Sequence, residues 1–234
     1  MTDIKKVAGI WLPATEEHLL PFLEGAAKRN SKGEGSYQLH TLVAMLNHTP
    51  TNRRNLVLDV GGNVGMWSMH FARAFDRVVA YEPIEINQRC FMLNTIEHPE
   101  KPTPNVELRR VALGNAIGEV VMEYRPEVTS GTHVASEDTA KREASSINYT
   151  VPLTTLDAEN HPFVSAIKMD VEGYEYPIVL GAEGTIRRCK PIICIEQKPW
   201  DIFEWKQYAA LELLLSWGAT VKQRVVDDFI LGWD

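Results

Sequence analysis

Asp59 and Glu82 are acids that close, or nearly close, two apolar runs: Leu56-Val57-Leu58-Asp59-Val60 leads into Gly61-Gly62-Asn63-Val64-Gly65, and Val78-Val79-Ala80-Tyr81-Glu82 leads into Pro83. Such runs suit buried parallel strands, and the glycines let the backbone turn sharply and approach a ligand. Glu82 lies 21 positions after Gly61, close to the separation at which an acid meets a ribose diol across a strand-helix-strand unit. A ribose-bearing ligand is therefore expected, and charge selects among such ligands. A dinucleotide sets its pyrophosphate on the helix N-terminus and favours glycines spaced G-x-G-x-x-G. Here they fall at 61, 62 and 65, with Asp59 just before them and no Lys or Arg in the loop. A carboxylate at that place repels a pyrophosphate and attracts ammonium or sulfonium, and S-adenosylmethionine carries both cations and no phosphate. It is the expected cofactor, with Asp59, Gly61, Gly62, Asn63, Glu82 and Pro83 among its contacts. A dinucleotide and a purely structural tight turn are the alternatives.

These residues need a sheet to position them. After the glycine loop, apolar positions at Val64, Trp67, Phe71, Ala72 and Phe75 give a helix one face for the sheet while its first N–H groups point at the loop. Residues 106–111 read as a third strand, and Gly118–Tyr124 as an extra strand outside the simple alternation. Residues 166–170 read as the fourth main strand, followed by a helix near 178–188 and by a fifth strand, Ile192–Glu196. A helix over about 208–217 ends at the C-cap Gly218, and residues 220–226 and 229–233 form a hairpin around Asp227-Asp228. The expected fold is α/β, a parallel sheet closed by an antiparallel hairpin.

Length and composition fit one enzyme-sized domain: 234 residues with 44% hydrophobic content can bury a sizeable core. A formal charge of −7 and scattered Arg pairs argue against a nucleic-acid footprint, which needs clustered Lys and Arg. Cys90, Cys189 and Cys194 are odd in number and lack C-x-x-C spacing, which fits a reducing compartment and disfavours a cysteine zinc site. With no signal peptide or apolar span in view, a cytoplasmic protein without membrane attachment is expected, as a monomer or homodimer.

The spaced segments Leu58-Asp59-Val60-Gly61-Gly62-Asn63-Val64-Gly65, Tyr81-Glu82-Pro83, Val111-Ala112-Leu113-Gly114, Leu153-Thr154-Thr155-Leu156-Asp157 and Lys168-Met169-Asp170-Val171-Glu172-Gly173-Tyr174-Glu175 resemble the FkbM-type methyltransferases over roughly residues 55–200. The last segment is the most specific. The resemblance implies a Rossmann-like class I methyltransferase with a seven-stranded sheet, S-adenosylmethionine above the carboxyl ends of the strands, and an oxygen acceptor on a small molecule or carbohydrate. It implies Asp59 and Gly61 near the methionine portion, Glu82 on the ribose hydroxyls, and Val111 with Ala112 beside the adenine. A domain over 51–234 follows; these motifs do not explain residues 124–148 or the first fifty residues, which read from their own sequence as a helical N-terminal cap over 1–50.

Methyl transfer from a sulfonium is an in-line displacement, so a base is needed only if the acceptor hydroxyl must lose its proton. In the fold that the resemblance implies, Asp170 faces the transferable methyl and is the first catalytic candidate; Glu172 and Glu196 are weaker ones, and an ion pair of Lys168 with Asp170 or Glu196 is expected. These carboxylates lack a His at ligand spacing, so no metal is expected. Residues 124–148 interrupt the alternation where a lid would sit and contain His133, a candidate base whose bland alternative is an idle loop histidine. At the N-terminus, Thr15 reads as the N-cap of a helix, and Tyr37 and Gln38 are candidates for closing over the cofactor, with helix-start packing as the alternative. The expected activity is O-methylation. A methyltransferase acting on nitrogen or on a macromolecule, and a catalytically silent cofactor-binding module, are the competing readings.

Overall fold

The computed structural model describes residues 3–29, 35–136, 146–198 and 203–234. The N-terminal prefix is not the purely helical cap expected for residues 1–50. It opens with an antiparallel hairpin, β1 (Ile4–Val7) and β2 (Ile10–Pro13), and only then forms α1 (Leu20–Arg29) and α2 (Leu39–His48). The hairpin turns through Ala8 and Gly9, both at positive φ (48 and 87°), the primed-turn geometry that matches the twist of two strands. Thr15 caps no helix. Its hydroxyl donates to the Pro126 carbonyl, and the Glu16 carboxylate accepts the Leu19 N–H instead. The hairpin is fixed to the body by Asn94, whose side-chain amide accepts from Trp11 N and donates to Trp11 O at 2.7 and 2.8 Å.

The body then alternates strand and helix: β3 (Leu56–Val60), α3 (Met66–Phe71), β4 (Arg77–Tyr81), α4 (Glu85–Asn94) and β5 (Val106–Arg109). After an inserted region come β10 (Ala166–Met169), α5 (Glu175–Leu180), α6 (Glu183–Cys189), β11 (Ile192–Glu196), α7 (Ala209–Ser216) and the terminal hairpin of β12 (Ala219–Val225) and β13 (Asp228–Trp233). The seven strands lie in the order β12-β13-β11-β10-β3-β4-β5, and β13 alone runs against the direction of the other six. One apolar layer, with Leu58, Ile167, Ile186 and Leu214, covers one side of this sheet, and another, with Val57, Phe71, Phe91 and Cys194, covers the other. The expected helix over 178–188 is broken into α5 and α6. At the break, a Cβ on Gly181 would stand 1.9 Å from the Gly114 carbonyl oxygen, so the chain passes too close there for any side chain.

Between β5 and β10 the chain builds a second, four-stranded sheet in the order β6-β9-β7-β8, from β6 (Ala112–Leu113), β7 (Gly118–Tyr124), β8 (His133–Val134) and β9 (Ile147–Thr154). The strand expected over 106–111 therefore ends at Arg109, two residues early, and Ala112 and Leu113 join the second sheet. The small sheet has its own apolar layer, with Ile84, Met122, Tyr124 and Val151. Of the lid-like segment 124–148, residues 137–145 lie outside the described residues.

Candidate functional site

Strand order reverses between β3 and β10: the chain runs outward to β4 and β5 on one side and to β11 on the other. At such a switch point the flanking loops diverge and leave a crevice above the carboxyl ends of the strands. The register pairs Val60 with Met169, so Gly61 and Asp170 leave the sheet side by side. Gly61 has φ +78, and a Cβ there would lie 2.1 Å from the Asp170 carbonyl oxygen, so both conformation and space demand glycine.

The crevice has two lobes. One is walled by Glu82, Pro83, Val111, Ala112, Met122 and Tyr174, with Thr129 and Thr132 on the side of the inserted sheet. The other is walled by Tyr37, Gln38, Asp59, Gly62, Trp67 and Lys168. Gly61, Asn63, Ser130 and Asp170 belong to both. All the residues expected to bind the cofactor thus come together, from five different segments. Tyr174 is held in place by an aromatic group: Trp205 stacks on Phe203 at 4.4 Å, meets Tyr174 at 5.7 Å, and donates from Nε1 to the Gly173 carbonyl at 2.9 Å.

Glu82 is 5% exposed. Its Oε1 accepts the Ile84 N–H at 2.9 Å and the Asn87 side-chain amide at 3.4 Å, and its Oε2 accepts the Asn63 N–H at 2.9 Å, which fixes the carboxylate against the loop and leaves Oε2 a further lone pair. Burial pushes its pKa up to about 7 against the pull of those donors. Asp59 is fully buried, accepts the Ser68 hydroxyl at 2.6 Å on Oδ2, and has no hydrogen-bond partner on Oδ1; burial raises its pKa. Trp67 Nε1 is a second buried polar atom in this lobe without a partner. Between the acids sits the Lys168 ammonium, 5% exposed, 3.8 Å from Asp59 and 3.7 Å from Asp170, donating to the Gly61 carbonyl at 3.1 Å. Burial works against that ammonium, but Asp170 and Asp59 outweigh it and leave the Lys168 pKa raised. The expected ion pair is thus with Asp170, and Asp59 shares it; Glu196 pairs with Lys198 at 2.7 Å instead.

Glu172 does not line either lobe. It leaves β10 at φ +56 and stands beside Asp170 and Glu196, with one oxygen from each of the three within 4.8 Å of the others. Burial and the Asp170 charge push both Glu172 and Glu196 up. Three carboxylates at this spacing are a donor set suited to a hard cation, and the Lys198 ammonium on Glu196 already supplies one positive charge there. His133 is not in the cleft. It lies buried in β8, with Nδ1 2.9 Å from the Gly131 carbonyl oxygen and Nε2 3.9 Å from the Glu123 carboxylate, because the loop expected there is a strand of the inserted sheet. The residues that sequence reasoning left without a role here are Trp67, Thr129, Ser130, Thr132 and Tyr174. Their types are generic; the inserted sheet brings Thr129, Ser130 and Thr132 to the crevice, whereas Trp67 on α3 and Tyr174 after β10 reach it from the main body.

Residues 59–223 match the model of the methyltransferase FkbM domain. The chain belongs to the FkbM methyltransferase family. Its fold is that of Rossmann-like methyltransferases. An O-methyltransferase from Bacillus cereus solved with S-adenosylhomocysteine superposes with a TM-score of 0.50 at 16% identity, over 89% of this chain and 85% of that one. A methyltransferase FkbM from Methylobacillus flagellatus KT gives a TM-score of 0.49 at 14% identity, over 91% of this chain. This chain spans 58% of the length of that protein. No curated protein sequence matches the chain. Among the described residues, no helix is long and apolar enough to cross a membrane.

Proposed function

We propose that this chain transfers a methyl group from S-adenosylmethionine to a hydroxyl of a small molecule or carbohydrate. The observation that carries the reading is the two-lobed crevice joined at Asp170, with a buried carboxylate for a diol in one lobe and an acid-walled amino-acid site in the other. The residues fit the cofactor group by group. Glu82 Oε2 has a lone pair for a ribose hydroxyl, and Val111, Ala112 and Tyr174 wall an apolar slot for the purine. In the second lobe, Asp59 Oδ1 faces the Lys168 ammonium at 3.8 Å but has no hydrogen-bond donor, leaving it able to accept from an ammonium, and Trp67 Nε1 is an unpaired donor for a carboxylate, the complementary pair that a zwitterionic methionine end requires.

When bound, the cofactor supplies an electrophilic methyl group on a sulfonium centre. What the chain contributes is alignment and proton handling. Asp170 stands where the lobes meet, its side chain 17% exposed, and is the group placed to accept a hydrogen bond or a proton from the acceptor hydroxyl. Lys168 orients that carboxylate from 3.7 Å and cancels part of the charge that Asp59 adds behind it. Most of the rate gain expected of such a site comes from holding acceptor and methyl in line.

Calorimetry tests the first step: S-adenosylhomocysteine should bind and NAD should not, and the reverse result sinks the proposal. Methyl-labelled cofactor with fractionated extract tests the second. Label in a small metabolite or glycan supports the acceptor class, whereas label in protein or nucleic acid, or no transfer by a chain that binds the cofactor, replaces it with a macromolecular acceptor or a silent binding module.

A further inference from the structure

Glu16 lies outside the family match, between β2 and α1, and is 0% exposed. Its carboxylate accepts two backbone N–H groups from distant parts of the chain, Leu19 at 2.8 Å on Oε1 and Thr129 at 2.6 Å on Oε2. The same two segments are tied three more times: the N–H groups of Glu17 and His18 donate to the Glu127 carbonyl at 3.0 and 3.2 Å, and the Thr15 hydroxyl donates to the Pro126 carbonyl at 2.7 Å. A buried carboxylate is stable only when fully paired, so Glu16 holds this junction in one arrangement.

The clamp ends where the cleft wall begins. Thr129, bonded through its N–H, is 1% exposed, and neither its hydroxyl nor that of Thr132 has a hydrogen-bond partner among the described residues. Both threonines line the lobe that contains Glu82, and Ser130 between them lines both lobes. Buried hydroxyls left unpaired point to a ligand that pairs them, and a hydroxyl can donate as well as accept, which suits the mixed donor and acceptor edge of a nucleoside.

We infer that Glu16 is a positioning residue: it clamps residues 129–132 against the crevice so that the Thr129 and Thr132 hydroxyls form a polar subsite for the bound nucleoside. The inference rests on reading the crevice as a nucleoside site. In Glu16→Gln the amide offers one acceptor for two N–H groups and turns a donor toward the other, so one bond is lost and the one that remains is no longer charge-assisted. Hydrogen exchange read by mass spectrometry should quicken in residues 126–132, and the S-adenosylhomocysteine Kd should rise about tenfold. Asp157→Asn is the matched control, since Asp157 also accepts two backbone N–H groups, those of Gly184 and Thr185, at the start of α6. It should lower the melting temperature and leave Kd unchanged.

Thr129→Val with Thr132→Val removes the hydroxyls without touching the clamp and should raise Kd about threefold to tenfold at an unchanged melting temperature. That double variant decides the subsite even if Glu16→Gln does not fold. Unchanged exchange and Kd in Glu16→Gln, an equal rise in Kd in Asp157→Asn, or an unchanged Kd in the threonine double variant would each overturn the inference. If the wild type binds no S-adenosylhomocysteine, the functional proposal fails and the subsite with it, whereas the exchange comparison still decides whether Glu16 clamps residues 126–132.

Discussion

Replacing Asp170 by Asn removes one of the two carboxylates that face the Lys168 ammonium, and the structure separates what this does to stability from what it does to chemistry. In the native protein two acids, Asp59 and Asp170, share one cation. The amide leaves Lys168 paired with Asp59 at 3.8 Å and bonded to the Gly61 carbonyl at 3.1 Å, so no buried ammonium is stranded. Stability should therefore change by no more than about 1 kcal/mol, a melting shift within roughly 2–4 °C for a chain of this length. Lys168→Met does the opposite. It leaves both carboxylates without their cation, a loss of the kind that costs about 3–5 kcal/mol, or roughly 6–20 °C. Turnover should show the reverse weighting: losing a group that accepts the acceptor proton costs about a hundredfold, close to 2.7 kcal/mol of barrier. The assay is label transfer per folded molecule, beside calorimetric affinity for S-adenosylhomocysteine and the melting temperature of each variant. Wild-type turnover in folded Asp170→Asn would refute the proton-accepting role, and a melting loss as large as that of Lys168→Met would refute the charge argument.

Glu82→Gln sets an amide NH2 against one of the two backbone donors that its carboxylate now accepts, so affinity for adenosine should fall at least about tenfold. Wild type should discriminate against 2′,3′-dideoxyadenosine and the variant should not; equal discrimination by both would remove the ribose role. Gly61→Ala must place a methyl 2.1 Å from the Asp170 carbonyl oxygen at φ +78, so cofactor binding should be lost while the distant core stays folded, and near-native affinity in calorimetry would contradict the close packing of β3 on β10. Burial pushes Glu82 and Glu175 each up to about 7 from an ordinary 4.5, so the folded protein keeps protons that the unfolded chain has released. Stability from these groups is full at low pH and lost as pH rises through 7: on the order of 2 kcal/mol together between about pH 6.5 and about pH 8.5, or roughly 4–8 °C. A melting temperature that holds or rises over that interval in the ligand-free protein would show that both acids are ionised at little penalty.

The parts of the site that the sequence made legible are those held by local pattern. Leu56–Val60, Arg77–Tyr81 and Ile192–Glu196 are short apolar runs ended by turn residues, and period and punctuation locate such strands without tertiary knowledge. Because Asp59, Glu82 and Asp170 sit at or just beyond the ends of three of the central strands, locating the strands located the acids. The inserted sheet is legible only in part. Gly118–Tyr124 holds a run of apolar, β-branched and aromatic residues, but Ile147–Thr154 carries Pro152 and four exposed residues at its start, a composition that reads as loop. What makes it a strand is pairing with β7 across the insertion, in a register from Gly118 opposite Leu153 to Tyr124 opposite Ile147. Without that pairing, His133 reads as a loop base, when its partner strand has drawn it into the interior.

The same limit explains why Glu16 and Thr129 were silent. Their bond joins a side-chain oxygen to a backbone N–H that every residue except proline possesses, so nothing at position 129 in the sequence marks it as the recipient. Loops that bind ligands are routinely positioned by rigid elements elsewhere in the chain. Here the rigid element is a prefix that precedes the family match, which makes residues 15–18 part of the crevice in physical terms although they belong to none of its motifs. Cutting the chain just before β3 would keep every motif residue and remove the Tyr37 and Gln38 wall together with the clamp on residues 126–129. Such a truncation should therefore lose cofactor affinity by more than the Glu16→Gln variant does, and a truncated domain that folds and binds S-adenosylhomocysteine as tightly as the full chain would show that the prefix is dispensable to the site.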